Sequence, residues 1–133
     1  MKVFLDSSFL IAFVLKDDSN FNKAFKLYED NIFNNECYIS NLIINEIITV
    51  IGNKGSLQDA INNYYVFKDN FNILNEYEIS NFNDNVINTY KKHNTKLSFR
   101  NCIIIEIMRA NEINNLVSFD KQFKKVKNIN LIE

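Results

Sequence analysis

The sequence predicts an α/β fold: a three-layer α/β/α arrangement in which helices flank a central parallel sheet of four to five strands. Three observations carry this. Short apolar runs of β type, each bounded by turn residues, alternate with longer stretches whose apolar residues recur at helical spacing. Strands separated by helices pair in parallel, because each crossover carries the chain back over the sheet. The chain has 133 residues, 47% of them hydrophobic, and no linker, repeat or low-complexity tract, so one core in a single domain spanning 1–133 is expected.

The opening strand is Lys2-Val3-Phe4-Leu5, which ends abruptly in Asp6-Ser7-Ser8. Phe9, Leu10, Phe13 and Val14 follow at helical spacing, and Lys16-Asp17-Asp18-Ser19 offers a turn and a fresh cap. A second helix is expected from Phe21 to about Phe33, with Phe21, Ala24, Phe25, Leu27 and Tyr28 on its apolar face. Cys37 to Ser40 is the second strand. Leu42 to Ile51 is apolar except for Asn45, Glu46 and Thr49, which predicts a buried helix stopped by Gly52.

Leu57, Ala60, Ile61, Tyr64, Tyr65 and Phe67 describe a fourth helix ending near Asn70, and Phe71 to Leu74 is a third strand. Ser80 is the expected cap of a helix reaching about Tyr90. The polar link from Lys91 to Lys96 leads through Leu97-Ser98-Phe99-Arg100-Asn101 into the apolar run Cys102 to Met108, a helix extending to about Glu112. Leu116 to Ser118 makes a fourth strand before Phe119-Asp120. A short basic segment, Lys121 to Lys127, precedes a last strand at Ile129 to Ile132.

A formal net charge of −1 argues against a protein that coats nucleic acid through overall charge, so any such contact needs a local basic patch. Cys37 and Cys102 are far apart and lack metal-ligand spacing, as expected of buried thiols in a reducing compartment. The single histidine, His93, lies in a polar run and leaves little room for a Ser-His-Asp triad. Asp6 interrupts the first apolar stretch and Lys16-Asp17-Asp18 stands where a cleavage site would be, so neither a signal peptide nor a membrane span is expected and a cytoplasmic location is.

Four residues stand out as site candidates. In open α/β sheets the ligand sits beyond the carboxyl ends of the strands, which is where Asp6 falls; Asp6 and Ser7 would equally serve as the cap of the next helix. Glu46 lies in apolar surroundings, where an unpaired carboxylate is costly and marks a site or a missing partner. Asp120 follows a β-type run as Asp6 does, or caps a turn. Asn101 opens an apolar helix, as a site amide or as a cap. Three acids gathered with an amide suit a hard cation, Mg²⁺ or Mn²⁺, whose waters supply nucleophile and protons for phosphodiester hydrolysis without any histidine.

These pieces, Phe4-Leu5-Asp6-Ser7-Ser8, Asn45-Glu46, Leu97-Ser98-Phe99-Arg100-Asn101-Cys102 and Val117-Ser118-Phe119-Asp120-Lys121-Gln122-Phe123, resemble a PIN-domain protein of the VapC type, the toxin half of a VapBC toxin–antitoxin pair. The likeness runs over essentially the whole length, in the family's order. It implies an endoribonuclease using Mg²⁺ or Mn²⁺ held by an acidic quartet, with Asp6, Glu46 and Asp120 on three quartet positions. Ser118 falls where the family often has a hydroxyl near the metal, and Ser7 sits beside the first acid. The fourth position, an aspartate in the family, holds Asn101 here, which keeps a carbonyl ligand but removes a charge.

The resemblance further implies an RNA substrate, a cognate VapB-like antitoxin and a homodimer. Arg100, Arg109, Lys121, Lys124 and Lys125 cluster in sequence around the last two quartet positions, as RNA-phosphate contacts or as an ordinary solvated face. Phe21, Phe25 and Tyr28 are candidates for the partner surface, or for core packing. Asn101 also leaves room for a PIN-like module that binds RNA or a partner without cutting. A phosphoacceptor role for Asp6, as in receiver or haloacid-dehalogenase-like domains, is disfavoured because Ser8 replaces the second acid of Asp-x-Asp.

Overall fold

The computed structural model describes all 133 residues. Its strands are β1 (Lys2–Leu5), β2 (Glu36–Ser40), β3 (Asn72–Leu74), β4 (Asn115–Val117) and β5 (Asn130–Ile132), and every pairing between them is parallel. The sheet order is β3-β2-β1-β4-β5. Growth of the sheet therefore reverses between β1 and β4, and the crevice that such a reversal opens lies beyond their carboxyl ends. Leu5 is paired with Val117, and the Asp6 N–H donates to the Val117 carbonyl at 2.9 Å, so Asp6 and Ser118 emerge side by side at that crevice.

Six helices cover the sheet: α1 (Ser7–Val14), α2 (Phe21–Glu29), α3 (Asn41–Lys54), α4 (Leu57–Asn70), α5 (Phe82–His93) and α6 (Phe99–Ala110). The first four pack in sequence, α1 on α2 and α3, and α3 on α4, whereas α5 packs on α6. Right-handed crossovers place the first group on one face of the sheet and the pair on the other. Val3, Phe4 and Leu5 are wholly buried between these layers with Ile39, Ile43, Ile104, Ile107 and Leu116, which explains why the central strand reads as an unbroken apolar run.

Several element limits differ from the sequence expectation. The second helix stops at Glu29, because Asn31 adopts the left-handed conformation (φ 66°) and a 3-10 turn occupies Ile32–Asn34. Gly52 does not stop α3: it lies inside the helix, where the methyl of Ala60 on α4 comes close, and Gly55 is the terminating residue. Ser80 is not the cap of α5, which follows Asn81 at φ 55° and runs on to His93. The helix α6 begins at Phe99, capped by Ser98, and ends at Ala110, two residues before Glu112, which has φ 55°.

Two faces expected to be buried are partly outside. On α3 only Ile43, Ile47 and Ile51 are buried, and on α4 only Ala60 and Phe67, leaving Leu57, Ile61, Tyr65 and Val66 exposed. A buried acid that the sequence reading passed over ties the opposite layer together: Thr89 on α5 donates to the Glu106 carboxylate on α6 at 2.7 Å, and Arg109 pairs with the same group at 2.6 Å.

Candidate active site

Asp6 is both things its sequence position allowed. Its Oδ1 accepts the Ser7 N–H at 2.8 Å, capping α1, and the same carboxylate, 1% exposed, anchors a polar cluster at the sheet edge. Oδ2 accepts from the Ser118 hydroxyl at 2.6 Å and from the Ser8 hydroxyl at 3.2 Å. Ser118 in turn accepts the Asp120 N–H at 3.0 Å, and Ser8 accepts the Phe119 N–H at 3.0 Å. The hydroxyls thus splice the end of β1 to the segment after β4.

Glu46, on the second turn of α3, is neither fully buried nor unpaired. Its side chain is 29% exposed, and its two oxygens accept from Arg100 Nη2 at 2.6 Å and Nε at 3.0 Å. Burial is less than the apolar sequence implies because α3 turns one side to solvent, and the partner that such an acid needs lies 54 residues away in the chain.

The start of α3 is set by an acid that no sequence signal singled out. The buried Glu76 carboxylate accepts the Asn41 N–H at 3.0 Å and the Leu42 N–H at 2.9 Å, while the hydroxyl of Ser40, the nominal cap, has no partner. Glu76→Ala is expected to lower stability by about 1–2 kcal/mol, the usual worth of a cap, measured by urea unfolding.

Asn101 is not the cap of α6. The cap is the Ser98 hydroxyl, which accepts the Asn101 N–H at 3.1 Å, and this frees the Asn101 side chain, 1% exposed, to face the acids. Its Nδ2 donates to Asp120 Oδ2 and to Gln122 Oε1, both at 2.9 Å, and its Oδ1 accepts from Arg100 Nη1 at 2.9 Å. Asp120 also caps the turn that follows, Oδ1 accepting the Gln122 N–H at 3.0 Å.

At the centre lies Arg100, expected among the phosphate contacts. Nη2 reaches Asp6 Oδ1 at 2.5 Å and the Ser7 hydroxyl at 2.9 Å, besides Glu46. Burial works against its charge, but hydrogen bonds and charge from Glu46 and Asp6 more than offset that and hold the guanidinium above its ordinary value. The other cations divide: Arg109 is paired with Glu106, Lys124 with Glu133 at 3.1 Å, and Lys121 is exposed.

The open cleft over the cluster, about 420 Å³, is lined by Asp6, Ser7, Ser8, Arg100, Asn101 and Asp120, with Asp18 and Lys54 at its rim. A larger hollow of about 500 Å³ lies between α6 and the last loop, with Lys92, His93, Arg109, Lys125 and Lys127 in its walls, and a second hollow bounded by Lys92, Lys96, Lys125 and Gln122 adjoins it. Gln122 also touches Asn101, so the basic surface abuts the acidic cluster. Burial pushes the Cys37 thiol up to about 11 and raises Cys102 as well, leaving both protonated and inert at neutral pH.

The PIN domain family model matches residues 3–129. The chain belongs to the PIN domain family. Among solved structures it is similar to Mycobacterium tuberculosis VapC20, a sarcin-ricin loop cleaving toxin (TM-score 0.77, 18% identity, 92% of each chain). It is also similar to VapBC2 from Rickettsia felis bound to a DNA fragment from their promoter (TM-score 0.72, 15% identity, 99% of this chain and 98% of that one). A third likeness is to FitAcB from Neisseria gonorrhoeae (TM-score 0.72, 10% identity, 98% and 96%). No curated protein matches the sequence.

For this PIN domain a divalent cation can be tested against the donors present. The oxygens of Asp6 and Glu46 that face the centre are bonded to Arg100, and Asn101 turns an N–H₂ toward Asp120 where a cation would need a lone pair. No three acidic, histidine or cysteine side chains converge on one point. The cluster as arranged does not fit Mg²⁺ or Mn²⁺.

Proposed function

We propose that this PIN domain is an endoribonuclease of the toxin type, hydrolysing RNA phosphodiester bonds at the crevice beyond β1 and β4. One observation carries the reading: Asp6, Glu46 and Asp120, from distant segments, are joined through Arg100, Asn101 and Ser118 into one hydrogen-bonded network at the switch point of a PIN fold. The toxin described for VapC20 supports the substrate class, and the VapBC complexes support a cognate antitoxin as partner. Asp6 is held in place by Ser7, Ser118 and Arg100, while Asp120, half-buried, faces the cleft. Ser7 and Ser118 are positioning residues in this reading.

RNA reaches the crevice along the basic hollows, whose lysines neutralise phosphates locally on a chain of net charge −1. Lys121, near the same edge, extends that surface. Reversing two of these charges, Lys92→Glu with Lys125→Glu, is expected to weaken RNA binding on the order of tenfold and to flatten its salt dependence, read by fluorescence anisotropy at several salt concentrations. The exposed apolar side chains of α2, Phe25 and Tyr28, and of α4, Leu57, Ile61 and Tyr65, are where a second copy and the antitoxin would bury surface. No helix is long and apolar enough to cross a membrane.

Arg100 and Asn101 favour a second reading, an RNA- or partner-binding PIN module that does not cut. Incubating a defined RNA panel with the protein in Mg²⁺, in Mn²⁺ and in chelator separates the two. RNA fragments support the nuclease, with the chelator lane reading whether the cutting needs a divalent ion; intact RNA retained by a folded protein supports the module.

A further inference from the structure

The five hydrogen bonds of Arg100 use all three guanidinium nitrogens, and every acceptor belongs to Asp6, Ser7, Glu46 or Asn101. Its side chain is 27% exposed, so the group is seated in the cluster rather than laid across it. Asn101 completes the arrangement from the other side. It offers a carbonyl to the cation and an N–H₂ to Asp120, linking a guanidinium and a carboxylate that have no direct contact. An aspartate there would set a carboxylate against Asp120 instead, which is unfavourable without a cation between them.

We infer that Arg100 is the resident cation of this cluster: it stands in place of a divalent ion, Asn101 bridges it to Asp120, and the site takes up a divalent ion only when the guanidinium is gone or turned out. The physical reasons are charge and geometry. Asp6 is almost fully buried, and a buried carboxylate must be neutralised or matched by a cation whether or not a metal is available. A guanidinium matches carboxylates through two parallel N–H donors, as it does at Glu46, and its fork is preorganised, so an incoming ion must displace several charge-assisted bonds at once. The neighbouring residues 100 and 101 thus act as a set, one supplying the positive charge and the other removing a negative one.

The inference rests on donor geometry and stands apart from the ribonuclease reading, so its test contains no RNA. Mn²⁺ is titrated into the full chain and free Mn²⁺ is followed by electron paramagnetic resonance. The unaltered protein is expected to bind weakly, and Arg100→Ala to bind one ion on the order of a hundredfold more tightly, because a like charge has left the site. Mn²⁺ is also expected to raise the unfolding temperature of Arg100→Ala while leaving that of the unaltered protein in place. Asn101→Asp alone falls between, since Arg100 remains to pair with the new carboxylate. If Arg100→Ala does not fold, Arg100→Gln decides, because a glutamine keeps a polar side chain of similar reach but removes the charge; tighter Mn²⁺ binding than the unaltered protein supports the inference. Equal behaviour of the unaltered and altered proteins, whether both bind Mn²⁺ or neither does, overturns it.

Discussion

The double variant Arg100→Ala, Asn101→Asp is expected to cut RNA on the order of a hundredfold faster than the unaltered protein, and to lose that activity in chelator. It restores the fourth acid of the family pattern and clears the guanidinium from the oxygens of Asp6 and Glu46. The single changes are expected to give less. Asn101→Asp adds an oxygen ligand but leaves Arg100 paired within the cluster, and Arg100→Ala clears the centre but leaves an amide N–H₂ turned to Asp120. Because the two side chains are bonded to each other, their effects are expected to be non-additive, with the double variant exceeding the product of the singles. Initial rates on one defined RNA, for all four proteins in Mg²⁺ and in Mn²⁺, measure this. A folded, Mn²⁺-binding double variant that leaves RNA intact would move the assignment to the non-catalytic module.

That Arg100 bonds to both Asp6 and Glu46 was not legible in the chain, and the reason is general. A sequence shows which residues are adjacent. The partners of Arg100 are Asp6, 94 residues away, and Glu46, 54 residues away, and only the packing of α6 against the sheet edge joins them. Asp6 was legible because it directly follows a β-type run, and Asp120 because it stands three residues beyond one, each near a strand tip. Glu46 was legible as an anomaly, although for the wrong reason, since its helix is half exposed.

The parallel sheet followed from the same local signals, whereas the strand order was seen only in the structure. Short runs alternating with helices imply parallel pairing, and the apolar run Val3 to Leu5 lies in the central strand, buried on both faces. Element ends were less legible, because Asn31 and Asn81 in left-handed conformations do in this glycine-poor chain what glycine usually does. Glu76 and Glu106 were invisible for another reason: an acid that caps a remote helix or pairs across two helices looks, in sequence, like any surface glutamate.

Asp6→Ala is expected to be the most destabilising single change in the site, by about 3–5 kcal/mol, against a whole-domain stability of about 5–15 kcal/mol. The carboxylate accepts from Ser7, Ser8, Ser118 and Arg100 while 1% exposed, so its loss takes an acceptor from a guanidinium and two hydroxyls and uncaps α1 in one step. Asp6→Asn keeps the volume but turns an N–H₂ toward groups that are themselves donors, and should cost less than alanine yet more than a surface change. Asp120→Ala is the contrast, because that side chain is half-buried and its bonds go to Asn101 and the Gln122 N–H, worth about 1 kcal/mol. Urea unfolding of the three variants measures the ranking. If Asp6 and Asp120 both abolish cleavage while only Asp6 lowers the midpoint steeply, the first acid is at once keystone and site residue and the second serves the site alone. Equal stability losses would instead make the cluster a structural polar core, and the loss of cleavage at either position would then say nothing about chemistry.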